Sequence, residues 1–371
     1  MAYDGVLLNC VIEELRNKIL NRRIDKVYQP EKDEIYLLIR SRDEELKLLL
    51  SASANHPRIH LVRSTKPNPL TPPMFCMLLR KHLTGGRIVD IIQPQMERIA
   101  EILIESTNEL GDLAVKRLII EIMGRHSNII LVDENGKIID SIKHVNEAMS
   151  RVRQVLPGLP YSPPPAQDKR NPLSETPESF KALLKSTSTN KKVENVLLNS
   201  YMGISPITAS EIVYRALGDK PAGVLDLSEE QLEALCRSFS EFFDCVKHKQ
   251  FSPAMLKDET GFPRDIFPFI YHQYAASMME GYSSVSEMLD AFYSQRDRLE
   301  RLQQQTSNLS RLIRTNLERC QKKLAIQLED FQQAKEADKF RLWGELLTAS
   351  AHSIPKGVKE VSLVNYYDPD G

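Results

Sequence analysis

The sequence predicts an α+β multidomain protein, with a mostly antiparallel β domain carrying helices first, an all-α domain second and part of a coiled coil third. Three observations carry this expectation. Over residues 1–150, short apolar-rich runs alternate with polar turns, as strands do. From Glu178 to about Ser286 that signal gives way to helical spacing in short pieces. Residues 294–340 then form one long polar stretch whose apolar positions recur in threes and fours.

The first element is helical, because Val6, Leu7, Cys10, Val11, Leu15 and Ile19 share one face at a 3.6-residue period. Strand-like runs follow at 23–29, 34–40, 45–51 and 58–62. Thr71-Pro72-Pro73 opens a second helix that runs through Leu83 and stops at Gly85-Gly86. A threonine cap, early prolines and glycines past the end are the expected punctuation. The next strand is read over 87–93 and continues through 97–105, and further strands fall at 113–123 and 128–133. Asn135-Gly136 is a strong hairpin signal that returns the chain into 137–145. The proline-rich segment 156–165 reads as a rigid linker.

Beyond the linker, residues 199–210 read as a helix, a tight turn at Gly203 and a second helix opening around Pro206. This is the pattern of a helix-hairpin-helix, whose turn can offer backbone N–H groups to a phosphate. Any pair of antiparallel helices shares it, and Ser205 stands where DNA-binding versions often carry a second glycine, so packing is the simpler role. The long polar helix has its seam at Leu299, Leu302, Leu309, Ile313, Leu317, Cys320, Leu324, Leu328 and Phe331. Residues 361–367 read as a strand and 368–371 as a turn. The seam has no second heptad segment to pair with, and the last strand has no return. The 371-residue chain is therefore expected to be part of a longer protein.

Composition narrows the function classes. With 42% hydrophobic and 27% charged residues the chain is globular, and its length allows two or three domains. A formal net charge of -1 excludes a uniformly basic coat while leaving room for a local basic patch. The five cysteines (Cys10, Cys76, Cys236, Cys245 and Cys320) are scattered and form no Cys-x-x-Cys, so reduced thiols are expected rather than disulfides or a zinc site. No metal site and no cofactor are expected. The longest apolar runs, near 74–79 and 46–50, fall far short of the roughly 20 residues a membrane span needs. Asp4 before the first apolar residues and Glu13-Glu14 among them argue against a signal peptide, which makes the cytoplasm the expected compartment.

The most informative stretch is Glu121-Ile-Met-Gly-Arg-His-Ser-Asn128, a polar turn between two apolar strands. Arg125, His126, Ser127 and Asn128 offer many donors and one fixed positive charge, and the guanidinium fork suits a phosphate or a base edge. Glycine and asparagine are also the usual residues of turns between strands, so residue physics alone favours a plain turn. His126 has no Ser or Cys nucleophile pattern beside it, so nothing marks it for acid–base work, and no catalytic residue is expected.

Taken together, several stretches resemble the NFACT family, whose Gram-positive members include the fibronectin-binding A proteins. They are Tyr3-Asp4-Gly5 with Arg23-Ile-Asp-Lys-Val-Tyr-Gln-Pro30, and Pro72-Pro-Met-Phe-Cys-Met-Leu-Leu-Arg-Lys81. They continue with Glu97-Arg98-Ile99, the 121–128 block, Arg153-Gln-Val-Leu-Pro-Gly158 with Tyr161, and Gly344-Glu-Leu-Leu347. The resemblance covers essentially the whole chain. It implies an NFACT-N domain over 1–170, a helix-hairpin-helix domain over 171–285 and the first half of a coiled-coil domain over 286–371, with the C-terminal NFACT-R domain missing. It also implies a first domain similar in fold to the N-terminal domain of formamidopyrimidine-DNA glycosylases. Those enzymes need a Pro-Glu start, and this chain begins Met-Ala-Tyr-Asp, so glycosylase chemistry is expected to be absent.

What the resemblance implies for function is ribosome-associated quality control. Such a protein binds tRNA, alanyl-tRNA in bacteria, and a stalled large ribosomal subunit carrying peptidyl-tRNA. It promotes untemplated C-terminal tailing while ribosomal RNA performs the peptide transfer. The residues implied for tRNA binding are Asp4, Glu97, Arg98, Glu121, Ile122, Met123, Arg125, His126, Ser127, Asn128 and Arg153. Glu97 stands where the family usually has aspartate. Asp4 can equally cap the first helix, Ile122 can equally be core, and Arg98 beside Glu97 could form an ordinary surface ion pair. The competing class is a fibronectin-binding surface adhesin, with fibronectin binding possible as a secondary activity; a nucleic-acid-processing enzyme is a third.

Overall fold

The computed structural model describes residues 3–41, 45–107, 111–165, 167–219 and 223–368, with the side chains of 298–305 outside the description. The chain divides into two compact units, one ending at Arg296 and one running from Asp297 to the end.

The first unit opens with helix α1 (Gly5–Ile19), whose N-cap Asp4 accepts a hydrogen bond from the Leu7 N–H. Arg16 and Lys18 lie in its last turn, where cations complement the helix dipole. Strands β1 (Arg23–Glu31), β2 (Glu34–Arg40), β3 (Glu45–Ser51) and β4 (Arg58–Val62) then form a meander. They are followed by helix α2 (Met74–Leu83) and strands β5 (Arg87–Ile92), β6 (Ile99–Thr107), β7 (Leu113–Glu121), β8 (Asn128–Val132) and β9 (Ile138–Ser141). All nine pair antiparallel in the order β4-β3-β2-β1-β5-β6-β7-β8-β9. The two halves meet through a single pairing, Arg23 opposite Arg87.

Alternation puts one apolar set from each half into a shared core with α1 and α2. Ile35, Leu37, Leu48 and Ile59 come from one half, and Ile102, Leu118, Ile120 and Leu131 from the other. Each such side chain contributes about 1.5–3 kcal/mol when fully removed from water.

The second cluster of this unit is built from helices α3 (Pro177–Lys185), α4 (Val193–Ser200), α5 (Pro206–Leu217) and α6 (Glu229–Lys247) around Phe180, Tyr201, Phe239 and Phe242. Each of α3, α5 and α6 starts on a hydroxyl cap (Thr176, Ser205 and Ser228), the last as a full capping box with Gln231. Here the all-helical expectation is corrected. Strands β10 (Ala254–Lys257), β11 (Pro263–Phe267) and β12 (Met279–Gly281) form a small antiparallel sheet. They are three to five residues long, too short for a period of two to register.

Three other readings change. Thr71 is not the cap of α2: its N-cap is Pro73, which supplies no side-chain bond, because proline lacks both the donor and the polar side chain. The run read as one strand through residue 105 reverses at Pro94–Met96, so that β5 and β6 pair with each other. The proline-rich segment is docked over its first part: Ile138 N–H donates to Leu159 O, Gly158 N–H to Ile138 O and Tyr161 N–H to Gly136 O.

Helix α7 (Val285–Ala349) starts in the first unit, where Val285, Met288, Leu289 and Phe292 enter the main core. In the second unit its seam residues Leu309, Ile313, Leu317, Leu324, Leu328 and Phe331 are all more than half exposed. The seam positions Leu299 and Leu302 lie outside the described side chains. Residues 361–365, read from sequence as a strand, form no regular structure and pair with no strand among the described residues. Tyr366 and Tyr367 form a turn, and Pro369–Gly371 lie outside the described residues.

Candidate nucleic-acid interface

The sites named from sequence fall into two adjacent groups. The first is a cleft of about 220 Å³ lined by Tyr3, Asp4, Gly5, Met96, Glu97 and Arg98 on one side, and by Lys169, Met202, Gly203 and Ser205 among others on the second. Four separate segments of chain therefore meet here.

They meet because two glycines allow it. Gly5 N–H donates to Gly203 O at 3.1 Å. A Cβ on Gly5 would strike both the Met96 carbonyl oxygen and the Gly203 Cα, and one on Gly203 would lie 2.9 Å from the Met96 oxygen. Gly203 also has φ +74, a conformation that suits glycine. Gln95 and Met96 take left-handed backbone angles in succession, φ 45 and 63. Such residues cost of order 1–3 kcal/mol each and persist only where their surroundings impose them. This turn delivers Glu97 and Arg98, both half-buried, to the cleft rim.

Asp4 is buried and joins the two clusters of the unit. One oxygen accepts from Leu7 N–H at 2.9 Å and the other from Thr208 Oγ1 at 2.7 Å; Thr208 also lies 3.0 Å from the Tyr271 hydroxyl. Burial raises the Asp4 carboxyl above its ordinary value, against the pull of these bonds. Asp4 thus caps α1 and ties it to the start of α5.

The second group follows directly, since Ile122 N–H donates to Arg98 O at 2.8 Å. Gly124, at φ 59, lets the chain turn through a short 3₁₀ segment at Gly124–His126. Ser127 Oγ accepts from Met123 N–H, while the Asn128 side chain bonds both the N–H and the C=O of Lys143. Glu121 is held by a forked pair of bonds from Arg153 at 2.6 and 2.9 Å and a third from the Tyr161 hydroxyl at 3.0 Å. Arg153 also lies over the Tyr161 ring, 5.3 Å from its centre. That cluster pins the docked segment 153–161 to the end of β7.

The named residues therefore sort by exposure. Asp4, Glu121, Ile122, Ser127 and Asn128 are buried, and the polar ones spend their hydrogen bonds inside the protein. Glu97, Arg98, Met123 and Arg153 are half-buried, and Arg125 and His126 are exposed. Arg125 and His126 are exposed on the turn whose Ile122 N–H bonds the Arg98 carbonyl, and Glu97 and Arg98 line the cleft. Sequence reasoning missed Met96, Lys169, Met202 and Ser205 as part of it. Their only signal was the glycine turn at Gly203, which had a packing role to explain it. Among the described residues no group of three or more His, Cys, Asp or Glu is placed to hold a metal. Cys10, Cys76 and Cys236 are buried, Cys245 is half-buried and Cys320 is exposed, all as free thiols.

The family model described as NFACT N-terminal and middle domains matches residues 4–371. The chain belongs to that family. It is 36% identical over 373 residues to the Rqc2 homolog RqcH of Bacillus subtilis, covering 100% of this chain and 62% of that protein. It is 25% identical over 387 residues to the ribosome quality control complex subunit NEMF of Mus musculus, covering 99% of this chain and 35% of that one. Among solved structures, it is similar to the fibrinogen binding protein from Staphylococcus aureus, with a TM-score of 0.66 and 34% identity. That likeness covers 79% of this chain and 99% of that one. The chain thus spans about three-fifths of the length of its Bacillus relative. Among the described residues no helix is long and apolar enough to cross a membrane.

Proposed function

We propose that this protein is a ribosome-associated quality control factor that binds tRNA, alanyl-tRNA in a bacterial setting, and an obstructed large ribosomal subunit carrying peptidyl-tRNA. In this reading it promotes untemplated C-terminal alanine tailing of the stalled chain. The observation that carries the reading is the convergence at one cleft of Tyr3–Gly5, Glu97–Arg98 and the Gly203 turn, with Arg125 and His126 alongside. The names of the relatives, which speak of a ribosome quality control complex, support it. Glu97 can accept from a base amino group or orient Arg98, and Arg98, Arg125 and Lys169 suit phosphate oxygens.

The protein positions tRNA, and ribosomal RNA performs the transfer. In the same reading it acts in the cytoplasm on ribosomes. Residues 1–170 form the NFACT-N domain and 171–285 a helix-hairpin-helix domain. Residues 286–371 form part of a coiled-coil domain. The adhesin alternative draws only on the names of related solved structures.

The test is tRNA affinity at fixed salt, with circular dichroism as the folding control. Glu97→Ala with Arg98→Ala is expected to weaken binding with the fold intact. Loss of one phosphate contact lowers the slope of log K against log salt by about 0.7–0.9. Unchanged affinity and slope would overturn the reading. Fractionation of cells into ribosomal and surface pools separates it from the adhesin class.

A further inference from the structure

The Glu97–Arg98 dipeptide is presented by a strained turn, and one side chain beneath that turn, Gln93, makes three hydrogen bonds. Gln93 Nε2 donates to Gly5 O at 2.8 Å and to Glu97 O at 2.9 Å. Two carbonyl oxygens at one end of the amide require the NH₂ group there, which fixes its orientation. At its other end Gln93 Oε1 accepts from Asn9 Nδ2 at 2.7 Å. Asn9 is oriented in turn, because its Oδ1 accepts from the Lys249 ammonium at 2.8 Å. The Lys249 amine, just past the end of α6, can only donate here and thus sets the direction of a hydrogen-bonded chain that ends on the Glu97 carbonyl. The Arg98 carbonyl is held separately by Ile122 N–H.

We infer that Gln93 is a positioning residue for tRNA binding, holding the Gln95–Met96 turn in its left-handed form so that Glu97 and Arg98 face the cleft. The inference rests on the tRNA reading of those two residues. Gln93 donates to the Glu97 backbone and so fixes the direction in which both side chains leave it. Without that bond, the two consecutive left-handed residues would relax toward ordinary backbone angles, and the dipeptide would swing with them. The turn carries no glycine; it is closed by its own bond from Glu97 N–H to Pro94 O at 2.7 Å, and Gln93 adds a second hold on the same residue.

The test is a double-mutant cycle on the whole chain, with unacylated tRNA as the probe and affinity read by anisotropy at fixed salt. Gln93→Met keeps the length and removes the donors, and is expected to weaken binding about tenfold, the scale of one or two lost hydrogen bonds. Because it acts through Glu97 and Arg98, Gln93→Met added to the Glu97→Ala, Arg98→Ala protein should bind within about twofold of that protein alone. Losses that multiply, or a Gln93→Met protein that binds like the parent, would overturn the inference. If Arg98→Ala itself leaves affinity unchanged, the tRNA reading falls, and amide exchange decides the positioning role. Faster exchange confined to residues 94–98 in Gln93→Met supports it, and unchanged or protein-wide exchange refutes it. Should Gln93→Met not fold, Gln93→Glu carries the same cycle, since it keeps the length and replaces both N–H donors with a carboxylate oxygen.

Discussion

At the scale of single residues, the buried members of the site differ in kind from the rim. Glu121 and Arg153 form a forked ion pair with side chains only 2% and 13% exposed. Removing one partner strands a buried charge. Glu121→Ala is therefore expected to lower the unfolding free energy by about 3–5 kcal/mol, while Glu121→Leu with Arg153→Met regains most of that. Urea denaturation measures both, and a Glu121→Ala protein as stable as the parent would refute the assignment. Any loss of tRNA binding in Glu121→Ala then follows from the displaced 153–161 segment. Asp4 offers a test with a sign. Its carboxyl is raised by burial above the ordinary 3.8, so its contribution to stability is fully present below about that pH and is lost as pH rises through the folded value. Asp4→Asn should remove this part of the stability–pH profile, and parallel profiles for the two proteins would count against it. Asp4 was legible in the sequence as a cap. Its bond to Thr208 was not, because nothing local marks a partner 204 residues away.

At the scale of elements, the strands and helices of the first half were readable wherever a period ran long enough. The bounds of β2, β3 and β4 follow from apolar-rich runs between polar turns, and α1 follows from its 3.6-residue spacing, although residues 5–12 are buried all round. The turn at Pro94–Met96 was not readable, since its left-handed residues are glutamine and methionine rather than glycine. Its shape is imposed by Gly5, Gly203 and Gln93. Two glycine substitutions separate intrinsic strain from contact. Gly85, at φ +80, has open space around its missing Cβ, so Gly85→Ala should cost about 1–2 kcal/mol and leave tRNA affinity alone. Gly203→Ala meets both the strain and the Met96 oxygen, so it should cost more and weaken tRNA binding as well. Thermal melts paired with the binding assay distinguish the two, and equal behaviour of both variants would show that the Gly203 contact has no bearing on the cleft.

At the scale of the whole molecule, the two units differ in what holds them. The first has two large cores of buried side chains and two smaller clusters among the described residues. The second carries a long helix whose Leu309, Ile313, Leu317, Leu324 and Leu328 are open to water. A helix without tertiary cover keeps only its local bonds. Amides at 306–345 are therefore expected to exchange far faster than those of α1. Protection equal to that of α1 would mean that something covers the seam in solution. The seam itself was plain in the sequence, because its spacing is local. The small β10–β12 sheet was not, because strands that short are stabilised by the helices packed on them.

The meeting of Gly5 with Gly203 also sets a clock on synthesis. The wall of the cleft formed by the first residues of the chain has no opposite wall until residue 203 has been made. At bacterial and eukaryotic elongation rates that interval is roughly 10–40 s. During its second half, once Met96 has been made, the nascent β domain carries Met96 and the N-terminus of α1 without their later cover from the Gly203 turn. A pause in translation between codons 98 and 203 would lengthen that exposure, so the interval is where slow codons or chaperone capture would most affect the yield of folded protein.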